Sequence, residues 1–186
     1  MPEPLEPAEA PNALIGPNTI EQLLLCARGT PAGCFVEVGV FQGGSAMHLN
    51  ALAEEQNRAL YLYDTFQGMP WFEEGLDCHP LGDFANTNLE RVQRLCPGAI
   101  ITAGIFPESA VEMPPISFAH IDVDNYRSVL ETAAYLKDRM VSGGVMWFDD
   151  SPCLASAAKA TKELFGQSDY GRALKLSFTG QHYVTF

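Results

Sequence analysis

Apolar positions along the chain alternate between two rhythms. Five short runs, "GCFVEVGV" (33–40), "ALYLYDTF" (59–66), "AIITAGIF" (99–106), "PISFAHIDV" (115–123) and "GGVMWFDD" (143–150), are apolar on both alternating faces and have strand length. Between them lie segments with helical spacing. "GGSAMHLNALAEEQ" repeats at Ala46, Leu49, Leu52 and Ala53, and "YRSVLETAAYLKDRM" at Val129, Ala133, Leu136 and Met140. "NLERVQRLC" marks one face with Leu89, Val92 and Leu95, behind a capping-box pattern at Thr87 and Glu90. "PNTIEQLLLCARG" predicts a further helix capped by Asn18 and ended by Gly29, and Ser151 and Pro152 predict the start of "CLASAAKATKELFG". "ALKLSFTGQHYVTF" reads as two strands joined at Gly180 and Gln181.

Strands buried on both faces and alternating with helices predict an α/β fold, a mostly parallel sheet with helices on both faces, closed by an antiparallel last strand. One stretch breaks the rhythm. "QGMPWFEEGLDCHPLGDFA" is rich in Gly and Pro and has no period, as expected of a surface loop or lid over residues 67–86. Residues 1–13, with four prolines and three glutamates, predict a flexible arm, leaving 14–186 as a single domain.

Composition narrows the partners. The formal net charge of -12 disfavours nucleic acid and favours cationic ligands and divalent metals. No apolar run reaches the ~20 residues of a membrane span, and the start lacks the character of a secretion signal, so a cytoplasmic protein without a membrane partner is expected. Five cysteines without C-x-x-C spacing predict reduced thiols rather than disulfides or a zinc site. A homo-oligomer is left open.

The informative polar groups fall at the carboxyl ends of the strands, where open α/β sheets bind ligands. After the first strand, "EVGVFQGGS" (37–45) brings Glu37, Gly39, Gly43 and Ser45 to a helix start, where backbone can approach a ligand or make a tight turn. Its spacing is neither the dinucleotide G-x-G-x-x-G nor a P-loop. Asp64 ends the second strand, a place suited to ribose hydroxyls or to a solvated loop acid. "HIDVDNY" and "FDDS" carry Asp122, Asp124, Asp149 and Asp150 onto two strand ends. Asp122, Asp149 and Asp150 offer hard oxygen ligands without a nearby Lys or Arg, which suits Mg²⁺; the bland reading is that one or two cap helices. His120 reads as a hydrogen-bonded core residue and His79 as a loop histidine. Trp71, Phe72 and Phe84 read either as a cover for a ligand or as tethers for the loop.

Taken in order, "FVEVGVFQGGSA", "YDTFQGMP", "GDF", "IFPES", "HIDVDNYRS" and "GGVMWFDD" resemble the macrocin O-methyltransferase-like family over about residues 33–165. The resemblance implies a Rossmann-like class I S-adenosylmethionine-dependent methyltransferase with a seven-stranded sheet. Its expected activity is methylation of a hydroxyl on a small molecule such as a vicinal diol, sugar, polyketide or phenol. It further implies that Glu37, Gly39, Gly43, Ser45, Asp64, Asp122 and, beside adenine, Phe106 bind S-adenosylmethionine. Asp122, Asp149 and Asp150 match the family's Mg²⁺ ligands, and Asp122 or Asp124 is the expected proton acceptor. Two departures stand out: the chain is shorter than the antibiotic-sugar enzymes, and Asn125 occupies a position where relatives carry a base. The rival readings are a metal-dependent phosphohydrolase using the D-x-D at Asp122 and Asp124, and a binding protein that holds S-adenosylmethionine without transfer.

Overall fold

The computed structural model describes residues 14–166 and 174–186; the arm expected over 1–13 lies outside them. Seven strands are formed: β1 (Cys34–Val38), β2 (Leu60–Asp64), β3 (Ile100–Ala103), β4 (Ile116–Ile121), β5 (Met140–Phe148), β6 (Lys175–Leu176) and β7 (His182–Thr185). They make one sheet in the order β3-β2-β1-β4-β5-β7-β6. β1 to β5 pair in parallel, and β7 runs antiparallel to both of its neighbours. The expected seven-stranded, mostly parallel sheet with an antiparallel last strand is therefore observed.

Period-two alternation explains the layering. Val36, Val38, Ala119, Ile121, Met146 and Phe148 face one side, where α4 (Tyr126–Lys137) and α5 (Ala155–Phe165) cover them through Val129, Ala133, Ala157 and Ala160. Phe35, Leu60, Leu62, Phe118 and Trp147 face the other, beneath α1 (Pro17–Arg28), α2 (Ala46–Glu55) and α3 (Leu89–Leu95). Every residue of β1 and β4 is buried, which is why both read as continuous apolar runs.

Several helix starts differ from expectation, two of them because a hydroxyl is committed elsewhere. Gly16 caps α1 with Pro17 in its first turn, so Asn18 lies inside the helix. Asn88 caps α3 by accepting from the Arg91 N–H, whereas the Thr87 hydroxyl donates to the Phe41 carbonyl. α5 begins at Ala155 rather than at Ser151 and Pro152. Ser151 is fully buried, and its hydroxyl is held between Thr161 Oγ1 at 2.9 Å and His182 Nδ1 at 2.7 Å. α4 ends at Lys137, capped by Asp138, and Met140 pairs with Ile116 as the first residue of β5.

Candidate functional site

At the carboxyl ends of β1, β2, β4 and β5 a cavity of about 210 Å³ opens, roofed by residues of the 67–86 segment. β1 delivers Gly39 to its wall with φ +89, hydrogen-bonded to the Tyr63 carbonyl at 2.9 Å. A Cβ there would lie 1.7 Å from the Asp122 carbonyl oxygen, so only glycine lets β1 and β4 approach at this point. Asp64 ends β2 and also lines the cavity. Its Oδ2 accepts from the Val40 and Phe41 N–H groups, both at 2.8 Å, and its Oδ1 from the Phe66 N–H at 2.7 Å. The carboxylate thereby ties the turn after β1 to the turn after β2, and it keeps phenylalanine at position 41 in a left-handed conformation, φ 49.

Gly39, Asp64, Phe106 and Asp122 lie on the cavity wall. Glu37, Gly43 and Ser45, expected beside them, are set back from it. Glu37 follows Phe35 on the α2 face of β1 and is fully buried. Its Oε1 accepts from the Ser45 hydroxyl and pairs with His120 Nδ1 at 2.9 Å. His120 is the β4 residue in register with Glu37, so the pair forms one buried polar unit behind the wall. Gly43 faces α3 instead, where a Cβ would meet Leu95 at 3.1 Å.

Strand ends also assemble the acids. Asp122 donates its N–H to the Val38 carbonyl at 2.9 Å, and Asp149 donates to that of Ile121 at 3.1 Å, so the sheet ladder itself sets these two positions. One carboxylate oxygen from each of Asp122, Asp149 and Asp150 lies within 4.8 Å of the others. Among the described residues lining the cavity there is no Lys or Arg. Burial and then the charge of Asp149 push the Asp122 carboxyl well above the usual carboxylate range. Burial raises Asp149 to about 6, with His120 opposing the rise. Asp124 is raised to about 9 by burial and by a hydrogen bond with Asp150. One buried oxygen, Asp149 Oδ1, has no hydrogen-bond partner among the described residues. Such a set is repulsive when ionised, and a hard cation would relieve it.

Asp124 sits at φ 55 with its carbonyl bonded by the Ser156 hydroxyl at 2.6 Å. Asn125 caps α4, its Oδ1 accepting from the Ser128 N–H at 2.9 Å, and so is spent on structure rather than chemistry. The roof is anchored by Asp77, which accepts from the Tyr126 N–H at 2.9 Å and the Glu73 N–H at 2.8 Å. Of the three roof aromatics, only Phe84 lines the cavity, where it packs on Phe41 at 5.6 Å. Trp71 lies beneath Arg127, 3.6 Å from ring centroid to guanidinium, and Phe72 is exposed. Thr65, Met69, Ile105 and His79 also line the wall; the sequence pattern singles out neither Thr65 nor Met69.

A parallel sheet in this order, with a glycine turn after β1, an acid ending β2 and an antiparallel final strand, defines the Rossmann-like fold of class I methyltransferases. Solved structures of such enzymes superpose closely. The O-methyltransferase NovP aligns with a TM-score of 0.80 at 20% identity, covering 93% of this chain and 81% of its own. CalS11, a calicheamicin methyltransferase, aligns at 0.70 and 18% identity, covering 91% and 77%; its apo structure is described as a TDP-rhamnose 3'-O-methyltransferase. An O-methyltransferase from Bacillus cereus in complex with S-adenosylhomocysteine (SAH) aligns at 0.57 and 15% identity, covering 96% and 86%. No curated protein matches by sequence. The chain belongs to the methyltransferase domain family, whose model matches residues 36–151 and so takes in the glycine turn, Asp64 and all four acids of the cluster. It is a methyltransferase.

Proposed function

We propose that the protein transfers the methyl group of S-adenosylmethionine to a hydroxyl oxygen of a small molecule carrying neighbouring hydroxyls, such as a sugar or phenol, with help from Mg²⁺. The observation that carries this reading is the placement of three converging carboxylates on the same cavity wall as the glycine turn and Asp64. Gly39, Asp64, Phe106 and Asp122 would meet the co-substrate: Gly39 through bare backbone, Asp64 through oxygens facing the ribose, and Phe106 through its ring. Glu37, Ser45 and Gly43 would act from behind by fixing the turn.

The donor set fits the metal. It is all oxygen, among the described residues it meets no competing Lys or Arg on the cavity wall, and it includes a buried carboxylate oxygen without a hydrogen-bond partner among them. Asp122, Asp149 and Asp150 would hold the ion, which when bound lowers the pKa of a hydroxyl and fixes its direction. The protein itself must align the attacking oxygen with the sulfonium methyl, exclude water under the 67–86 roof, and receive the hydroxyl proton. Asp122, Asp124 and His79 are the ionisable side chains on the wall from which that acceptor is drawn. Methylation of sugar hydroxyls by CalS11, which shares the fold, supports the acceptor class. The wall carries no lysine to meet a phosphate, as aspartyl-phosphate chemistry requires.

Calorimetry with S-adenosylmethionine and SAH, followed by methyl transfer to catechol and TDP-rhamnose, tests the reading. Binding and turnover are expected. EDTA or Asp149→Ala should abolish turnover while sparing SAH affinity. Full activity in EDTA would remove the metal, and absence of SAH binding would remove the methyltransferase reading.

A further inference from the structure

We propose that His79, held by Asp83, is the base that takes the proton from the acceptor hydroxyl; the assignment rests on the methyl-transfer reading above. His79 is the only histidine on the cavity wall. Its Nδ1 lies 2.8 Å from Asp83 Oδ2. An ionised carboxylate only accepts, so Nδ1 carries the proton and Nε2 keeps its lone pair. Nε2 makes no hydrogen bond within the described residues. The side chain is 29% exposed and lines the cavity.

The partner is itself fixed. Asp83 accepts through its carbonyl from the Met69 N–H at 2.8 Å, and Gly82 donates to the Met69 carbonyl at 3.0 Å, so the two ends of the roof segment clamp one another. The imidazole rests on Phe84, centroids 4.7 Å apart, and Phe84 rests on Phe41 in the turn after β1. His79 is thus indexed to the backbone that shapes the methyl-donor side of the cavity. A histidine serving only to tether the loop would need its Nδ1 contact and nothing more. Here the second nitrogen is unbonded, on a residue of a wall whose other ionisable groups are Tyr63, Asp64, Asp122, Asp124, Asp149 and Asp150. A carboxylate behind one nitrogen and an empty acceptor at the other is the arrangement by which an imidazole is oriented for proton abstraction and its cation is stabilised afterwards.

The step balances without further reagents. The hydroxyl oxygen forms a bond to the methyl carbon as the carbon–sulfur bond breaks. The bonding pair returns to sulfur, giving the neutral thioether, and the hydroxyl proton passes to His79 Nε2. The positive charge of the sulfonium ends on an imidazolium beside Asp83.

The test compares wild type with His79→Ala, His79→Gln, Asp83→Asn and Asp124→Asn. It measures methyl transfer from labelled S-adenosylmethionine to catechol and to TDP-rhamnose, with SAH affinity and thermal melting as controls. Both His79 variants should lower kcat by roughly 10²-fold or more, as loss of a positioned base does, with SAH affinity and melting unchanged. Imidazole should restore part of the His79→Ala rate but none of the Asp83→Asn loss. Wild-type kcat in His79→Ala, or a loss confined to Asp124→Asn, would overturn the assignment and leave the methyltransferase reading standing. A wild-type chain that neither binds SAH nor transfers methyl would overturn both.

Discussion

Replacing Gly39 by alanine places a methyl group where the Asp122 carbonyl oxygen already is. The added carbon would stand 1.7 Å from that oxygen and 3.1 Å from Val123 Cγ1, with the backbone at φ +89. Two costs combine. A left-handed conformation at a non-glycine residue is worth roughly 1–2 kcal/mol. The overlap with a ladder-bonded carbonyl cannot be relieved by a side-chain rotation, and overpacking of this kind costs about 1–3 kcal/mol or more. Together they amount to about 2–5 kcal/mol, a large share of the ~5–15 kcal/mol that holds a domain folded. For a chain of this length that is a fall of about 10 °C in melting temperature. Gly82→Ala supplies the control: φ is +78, but nothing lies within 4 Å of its added Cβ, so only the conformational strain remains, about 1–2 kcal/mol. Urea melts of the two variants, followed by circular dichroism, isolate the steric part as their difference. Equal destabilisation of the two, or a loss below about 1 kcal/mol for Gly39→Ala, would refute the claim that β1 and β4 touch there backbone to backbone.

Asp64→Ala removes the acceptor for three part-buried N–H groups at once, and such hydrogen bonds contribute about 0.5–1.5 kcal/mol each net. We expect a loss of about 2–3 kcal/mol in urea melts and SAH affinity weakened beyond measurement by calorimetry. The raised carboxyls make the metal-free fold most stable when they are protonated. Stability should be full below the ordinary carboxylate range, fall as pH rises through about 6 for Asp149 and continue to fall toward about 9 for Asp124. Melting curves from pH 5 to 9 should show this decline, Asp149→Asn should flatten its lower part, and Mg²⁺ should restore stability at pH 8. Asp77→Ala frees the Tyr126 and Glu73 N–H groups and should cost about 1–2 kcal/mol. Hydrogen exchange should then quicken in residues 67–86 while β1 and β4 remain protected.

Much of this architecture was legible because burial on both faces of a parallel strand leaves an unbroken apolar signature. β1, β2, β4 and β5 were readable from runs of that kind, and the acids stood out because they follow those runs directly. Helix starts were less legible. Ser151 and Thr87 have the chemistry of caps, yet each hydroxyl is drawn to a partner far along the chain, and periodicity carries no information about that. Long-range pairing also explains Glu37 and Ser45: both sit beside the glycine turn in sequence, but the alternation of β1 sends Glu37 to the α2 face and to His120. Roof contacts were the hardest to foresee. Asp77, Asp83 and His79 belong to an aperiodic segment in which no side chain's direction follows from its neighbours.

Asp122 and Asp149 stand at the ends of neighbouring strands whose alignment, Ile121 beside Phe148, is locked by the sheet. The spacing of their carboxylates is therefore inherited from interstrand distance, much as the teeth of a comb take their gap from the spine. Evolution could exchange the side chains at the tips, but it could not widen that gap by small degrees. A slip of one position between β4 and β5 would set Phe148 or Asp150 opposite Asp122 and turn the interior of β5 outward. Specificity for new acceptors in proteins of this build should accordingly arise in the roof, with the comb left untouched.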